Sequence, residues 1–352
     1  MRTRLILVAA LFAVIPMVCA SQDAPRVVNV NAQSRGEMPV RAPAVIMSAA
    51  CDESGNVYTQ LRSKDPVAHI NLEGDLYQSP VQKITPEVKS AGVFRFGDAF
   101  SDGAESRAFF VHDSRLYVLA GAKKGLYVVE FANDGSMKAP VKLQIDFILI
   151  PFHFAVFKSG EYLVVGLTGT ISQRPDLHTP FTAVFAADGR LVKKIYEPED
   201  ENARQRAEAG DSLNGRYTYT GNEFIGWDAD VTSGSDGSVY LLHGFSPSLI
   251  YVISPKGDVV RKLQIDTGNP ELAANSIKFH AGRLAVGYSW LGDVAQNLIK
   301  VIDLDGNSIA DYEVREGPKD SDPILACYNS DGFTLIPRWA DTKLHLLVAK
   351  ER

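Results

Sequence analysis

Residues 235–263 read SDGSVYLLHGFSPSLIYVISPKGDVVRKL. Two glycine turns, Asp236-Gly237 and Lys256-Gly257, punctuate the stretch. The runs Val239–Leu242 and Leu249–Ile253 lie between them, and Val259–Leu263 follows the second. Short β-branched and aromatic runs bounded by turn residues read as strands. With one more strand ahead of Asp236, the unit is strand, tight turn, strand, looser loop, strand, tight turn, strand. Four antiparallel strands in that order form one blade of a β-propeller.

The same phrase recurs along the chain. Apolar runs follow turns at Ser54-Gly55, Asp113-Ser114, Ser159-Gly160, Asp236-Gly237, Ala281-Gly282 and Asp331-Gly332. A second turn follows each of the first five: Glu73-Gly74, Asp134-Gly135, Asp188-Gly189, Lys256-Gly257 and Asp305-Gly306. Self-similarity at a fixed period is the mark of a repeat architecture. The sixth unit stops after two strands, at Leu344–Val348. An unmatched strand, Arg26–Val30, stands at the other end of the chain. If an N-terminal strand completes the last blade, the ring closes and no sheet edge is left unpaired. The expectation is an all-β, six-bladed propeller. A seven-bladed ring would need another pair of turns, and two β-sandwiches would not require paired turns at this recurring spacing.

These turns, with Ser235–Tyr240 and Val252–Leu263, resemble the NHL-like six-bladed propellers of secreted bacterial proteins. That resemblance implies a fold and leaves the function open, because one fold hosts many functions.

The chain has 352 residues, 22% of them charged, with a formal charge of −6. No global basic field is present to hold nucleic acid. Arg2 and Arg4 precede the apolar run Leu5–Val14, and Val18-Cys19-Ala20 supplies small residues before Ser21. This is the layout of a secretory signal peptide. A lipoprotein that uses Cys19 is the alternative. The run is too short to span about 30 Å of hydrocarbon. Cleavage after Ala20 leaves one domain, 21–352, with a formal charge of −8. The expected location is secreted or periplasmic, with no stable membrane insertion.

The strand order assigns loops to faces. Turns inside strand pairs one–two and three–four share one face of the disc, and all other connections share the opposite face. The long stretches 84–106, 166–180, 196–226, 266–276, 287–297 and 313–323 fall on that second face. Loops on a rigid scaffold are where binding usually resides. Trp227, Trp290 and Trp339 map to the same face, either as packing between blades or as an aromatic platform for a ligand. Near the channel mouth stand Arg62, His153, Asp228, Asp230, Lys278, His243 and Arg338. Asp228 or Asp230 beside a histidine would suit a divalent cation or acid–base work. The competing reading is that each satisfies a turn, a backbone amide or channel water.

No HExxH, GxSxG, P-loop or EF-hand pattern occurs in the chain. The expected function is therefore a binding module of the cell envelope, with no cofactor, that holds a peptide, protein or glycan. A metal-dependent hydrolase or lyase at the channel mouth is the alternative. Cys51 and Cys327 fall at near-equivalent places in blades one and six, which are neighbours only if the ring closes. They form either a disulfide at the seam or two separate buried thiols.

Overall fold

Both turns of the opening stretch form, and the strands around them pair in the expected order. In the computed structural model the described residues are 26–351, apart from 41–43, 64–78, 169–178, 196–229, 245–247, 270–271, 291–296, 316–322 and 341. The signal segment, Glu73-Gly74, Trp227 and Asp228 lie outside them. So do most of the loop stretches 166–180 and 196–226.

The chain enters through β1 (Arg26–Asn31) and β2 (Gln33–Pro39). Blade one holds β3 (Ala44–Cys51), β4 (Val57–Ser63), β5 (Val81–Ile84) and β6 (Ser90–Phe94). Blade two holds β7 (Glu105–His112), β8 (Arg115–Ala122), β9 (Gly125–Phe131) and β10 (Val141–Lys142). Blade three holds β11 (Leu149–Val156), β12 (Tyr162–Thr168), β13 (Thr179–Phe185) and β14 (Leu191–Lys194). Blade four holds β15 (Val231–Ser233), β16 (Val239–His243), β17 (Ser248–Ile253) and β18 (Val259–Ile265). Blade five holds β19 (Leu272–His280), β20 (Arg283–Trp290), β21 (Asn297–Asp303) and β22 (Ser308–Arg315). Blade six holds β23 (Pro323–Asn329), β24 (Gly332–Pro337) and β26 (Lys343–Ala349). The two-residue strand β25 (Trp339–Ala340) lies between β24 and β26. The inner strands β3, β7, β11, β15, β19 and β23 touch their neighbours all round the ring, back to β3.

The N-terminal chain closes this ring, but Arg26–Val30 is not the strand that completes the last blade. β2 does so, antiparallel to β26 from Gln33↔Val348 to Pro39↔Lys343. β1 lies one blade back, parallel to β22 as a fifth strand of blade five. The sequence pattern explains the choice. Val28 and Val30 alternate with exposed residues and are buried between blades five and six, beside Tyr312, Phe333 and Leu347.

Eight tight turns share one hydrogen-bond pattern: the first residue donates its N–H to the carbonyl four residues on, and the fourth donates to the carbonyl of the first. The fourth position has positive φ each time: Gly55, Val88, Gly135, Gly160, Gly189, Gly237, Gly257 and Gly306. Glycine takes that conformation without the Cβ penalty. Blade one is the exception. Its second turn is Thr85–Lys89, and Val88 fills the glycine slot at φ 61°. Consequently 84–106 is no single loop, since it contains β6 and a short 3-10 turn at Phe96–Ala99. The other stretches are likewise trimmed by strands: β19 begins at Leu272, β22 ends at Arg315 and β23 begins at Pro323.

In blades one, three, four and five the second turn also packs on the outer strand of the preceding blade. A Cβ on Gly189 would lie 2.0 Å from the Lys142 carbonyl oxygen, and Gln144 N–H donates to Gly189 O at 2.8 Å. Gly189→Ala therefore meets both a left-handed backbone and a clash with rigid main chain. We expect a loss of about 2–4 kcal/mol, roughly 1–2 of it from the αL conformation. Urea denaturation measures it, and Gly237→Ala, which meets no neighbour within 4 Å, should lose only the conformational part.

The hydrophobic clusters lie between blades. The largest runs from Leu119 and Val128 through Phe154, Phe157 and Phe181 to Leu241 and Tyr251. A separate cluster fills the seam between blades one and six with Ile46, Ala49, Ile324, Ala326, Ile336 and Leu346. Cys51 and Cys327 are disulfide-bonded across that seam, with Cα atoms 5.4 Å apart. Such a bond fits an oxidising, extracytoplasmic compartment. Among the described residues no helix is long and apolar enough to cross a membrane.

Candidate functional site

Six inner strands leave one edge of each turned to the ring axis, so their backbone groups need partners from loops, side chains or solvent. Five of them carry a register shift at a corresponding place: 46/48, 106/108, 151/153, 274/276 and 325/327. A bulge adds a residue and re-aims its neighbours, a device common at barrel rims and beside sites. The partner strand gives way at two of them. A Cβ on Gly166 would meet Ile150 O at 2.2 Å, and one on Gly287 would meet Ser276 Oγ at 2.4 Å. His153 follows the blade-three bulge, opposite Val165, and is half-buried.

Asp230 stands just ahead of β15 and reaches across to blade five. Its Oδ2 accepts Ile277 N–H at 2.9 Å and the Lys278 ammonium at 2.6 Å. The side chains are 24% and 12% exposed respectively. Ile277 spends its N–H on this carboxylate, which therefore caps the free inner edge of β19. Higher on that edge, Ala274 N–H donates to Gly244 O at 3.0 Å. Beside it, Ser276 donates to Asn275 Oδ1 at 2.8 Å, and Asn275 Nδ2 donates to Ser289 Oγ at 3.1 Å. Blades four and five are thus stitched together by polar groups at the channel wall. Lys278 is not near the start of its strand, as the spacing suggests; β19 begins at Leu272, which puts Lys278 toward the turn face.

The ion pair is a local test of this reading. Asp230→Ala leaves a half-buried ammonium and an edge N–H without their acceptor, so stability should fall by about 1–3 kcal/mol. Adding Lys278→Met should recover part of that loss in the double variant. Strict additivity in urea melts would show that the two groups do not interact.

The remaining candidates divide by blade. Arg62 and Trp339 occupy the same row, on either side of Val45, because β25 pairs with β3 from its inner edge. Arg338 precedes Trp339, and its carbonyl accepts Ile46 N–H at 2.9 Å. Two of the expected positions therefore share one row of the sheet on the loop side, and Arg338 adjoins it. Trp290 ends β20 opposite Leu272, and His243 ends β16 opposite Leu249. Trp227 and Asp228 lie outside the described residues. Among those described, no group of three His, Cys, Asp or Glu side chains could hold a metal ion. Sequence reasoning missed the strand β25. Two residues flanked by Arg338 and Asp341 carry no strand signal, and their pairing partner comes from the opposite end of the chain.

No protein-family model and no curated protein matches this chain. Solved structures do resemble it. A Bacteroides caccae protein of unknown function shares 10% identity at TM-score 0.47, over 77% of this chain and 82% of its own. A protein provisionally named a gluconolactonase shares 10% identity at TM-score 0.48, over 92% and 94%. Glutaminyl cyclase from Myxococcus xanthus shares 10% identity at TM-score 0.41, over 92% and 99%. The chain is a six-bladed β-propeller.

Proposed function

We propose that this chain is an exported binding module of the bacterial cell envelope, related in kind to the NHL-like propellers. It holds a peptide, protein or glycan on the loop-bearing face of the ring. The observation that carries this reading is the one-sidedness of the disc. The described turns within blades, from Ser54-Gly55 to Ser330-Asp331, are tight and share a face. Apart from 132–140, the longer connections run between strands that end on the other face, where Arg62 and Trp339 share a row, Arg338 precedes Trp339, and Trp290 and His243 end their strands. Rigid scaffold plus one variable face is the arrangement of a binding platform. The reading as a metal-dependent hydrolase or lyase rested on Asp228 or Asp230 beside a histidine; Asp228 lies outside the described residues, and Asp230 Oδ2 accepts from Lys278 and Ile277.

The test is a screen of the mature protein against peptide and glycan arrays, followed by titration of the best ligand. Arg338→Ala with His243→Ala should weaken that ligand at least tenfold, whereas Lys256→Ala on the turn face should not change it. Loss of binding from the turn-face change alone would overturn the assignment of the face.

A further inference from the structure

We propose that the Cys51–Cys327 disulfide is a redox-sensitive lock on the turn-face end of the central channel. The seam between blades one and six is tied at three separate places. At the outer rim β2, held by β26 as the last strand of blade six, leads on to β3 of blade one, and Gly36 lies against Val88, where a Cβ would meet Val88 Cγ2 at 2.9 Å. At the loop-face end of the inner wall β25 pairs with Ala44 and Val45, and Ile46 N–H reaches Arg338 O. At the turn-face end the tie is the disulfide. Cys51 is the last residue of β3, immediately before the turn Asp52–Asn56, and Cys327 lies two residues before the end of β23.

Three ties that do not share a line hold two bodies rigidly. Two leave an axis of rotation. Without the disulfide, the remaining ties run from the outer rim to the loop-face inner corner. Blade one then has freedom at the corner opposite that axis, the turn-face end of the channel. The apolar seam around Ile46, Ile324 and Ile336 keeps the rest shut. At its own corner the disulfide is backed by the small end of the apolar seam, Ala49, Val57 and Ala326. Gly55 sits against Asn329, with a Cβ position 3.4 Å from Asn329 Nδ2, and that is ordinary contact.

The two cysteines are unequal. Cys327 is fully buried and Cys51 is half-buried. The thiolate of a dithiol reductant attacks Cys51 Sγ and breaks the S–S bond, and Cys327 leaves as a thiolate and takes up a proton. The second thiol of the reductant then displaces Cys51, which also takes up a proton. Two electrons pass, and the reductant ends as a disulfide. Asn329 Nδ2 lies 4.0 Å from Cys327 Sγ, on the side from which an N–H can support the departing charge.

Hydrogen exchange on the full mature protein, before and after treatment with dithiothreitol, tests the lock. Amides in 49–58 and 325–331 should accelerate at least tenfold more than those in the core strands of blades two to four. The pairs β2–β26 and β25–β3 should change no more than the core does. Cys51→Ser with Cys327→Ser should reproduce that pattern without reductant, and Asn329→Ala should slow the reduction severalfold. Equal acceleration in every blade would mean a general staple and would overturn the proposal, as would no change at the seam.

Discussion

Removing residues 26–39 should leave a chain that no longer melts cooperatively as a monomer. Val28 and Val30 are buried between blades five and six, and burying two valine side chains is worth about 3–6 kcal/mol. The backbone cost comes on top. β26 loses its outer antiparallel partner from Lys343 to Val348, and β22 loses its parallel one from Ala310 to Arg315. Both edges, with Tyr312, Phe333 and Leu347 behind them, become open to other chains. Domains are stable by about 5–15 kcal/mol in all, so a loss of this size reaches most of that margin. Circular dichroism should show a broad transition, and light scattering should show association. A synthetic peptide of residues 26–39, added to the truncated chain, should raise the melting temperature in proportion to the logarithm of its concentration once above its Kd. A truncated chain that melts like the intact one would refute the role of the strap.

The second large effect belongs to the disulfide. Cys51→Ser with Cys327→Ser should lower unfolding free energy by about 2–5 kcal/mol, since the bond closes a very long loop in the unfolded chain. The seam should still assemble, because Ile46, Ile324, Ile336 and the β2 strap do not depend on sulfur. Guanidinium melts of the oxidised protein and of the double serine variant give the difference, with the slope m expected to rise as the unfolded chain expands. Equal midpoints would mean that the bond constrains neither state. This global effect is distinct from the local opening proposed above. It acts on the unfolded ensemble, whereas the other acts within the native ring.

Much of the architecture was legible because turns repeat. A glycine with positive φ is a local demand that sequence displays directly, and seven of the eight turns follow from it. Where blade one departs, with Val88 in the glycine slot, the same logic pointed to Glu73-Gly74 instead. Val88 holds its backbone because tertiary packing against Gly36 supports it, which no local signal reveals. Ring closure was readable as a need for one strand but not as a choice between two. Arg26–Asn31 has the better strand pattern, while Gln33–Pro39, with a glycine and a terminal proline, completes the blade. An outer edge can accept Pro39 because it asks for hydrogen bonds on only one side.

The site was legible in its parts and not in its assembly. Asp230, Lys278, Arg62, Arg338 and Trp339 all stood out as polar or aromatic residues near predicted strand ends. Which of them meet depends on neighbours in the ring. Asp230 pairs with Lys278 through the contact of blades four and five, and Arg62 shares a row with Trp339 only because β25 crosses the seam.

The strap has a consequence in time. Its two strands leave the ribosome, and on the exported reading cross the membrane, before any other strand of the ring. Their partners, β22 and β26, come late, and β26 comes last. β2 cannot pair until nearly the whole chain has arrived, so closure is the final step and a chain that lacks β26 cannot take it. Pairings between the ends of a chain are the slowest to find. Throughout that interval Val28 and Val30 stay exposed. A holding partner that recognises a short valine-rich extended segment has its opportunity then, and loses it when the ring shuts.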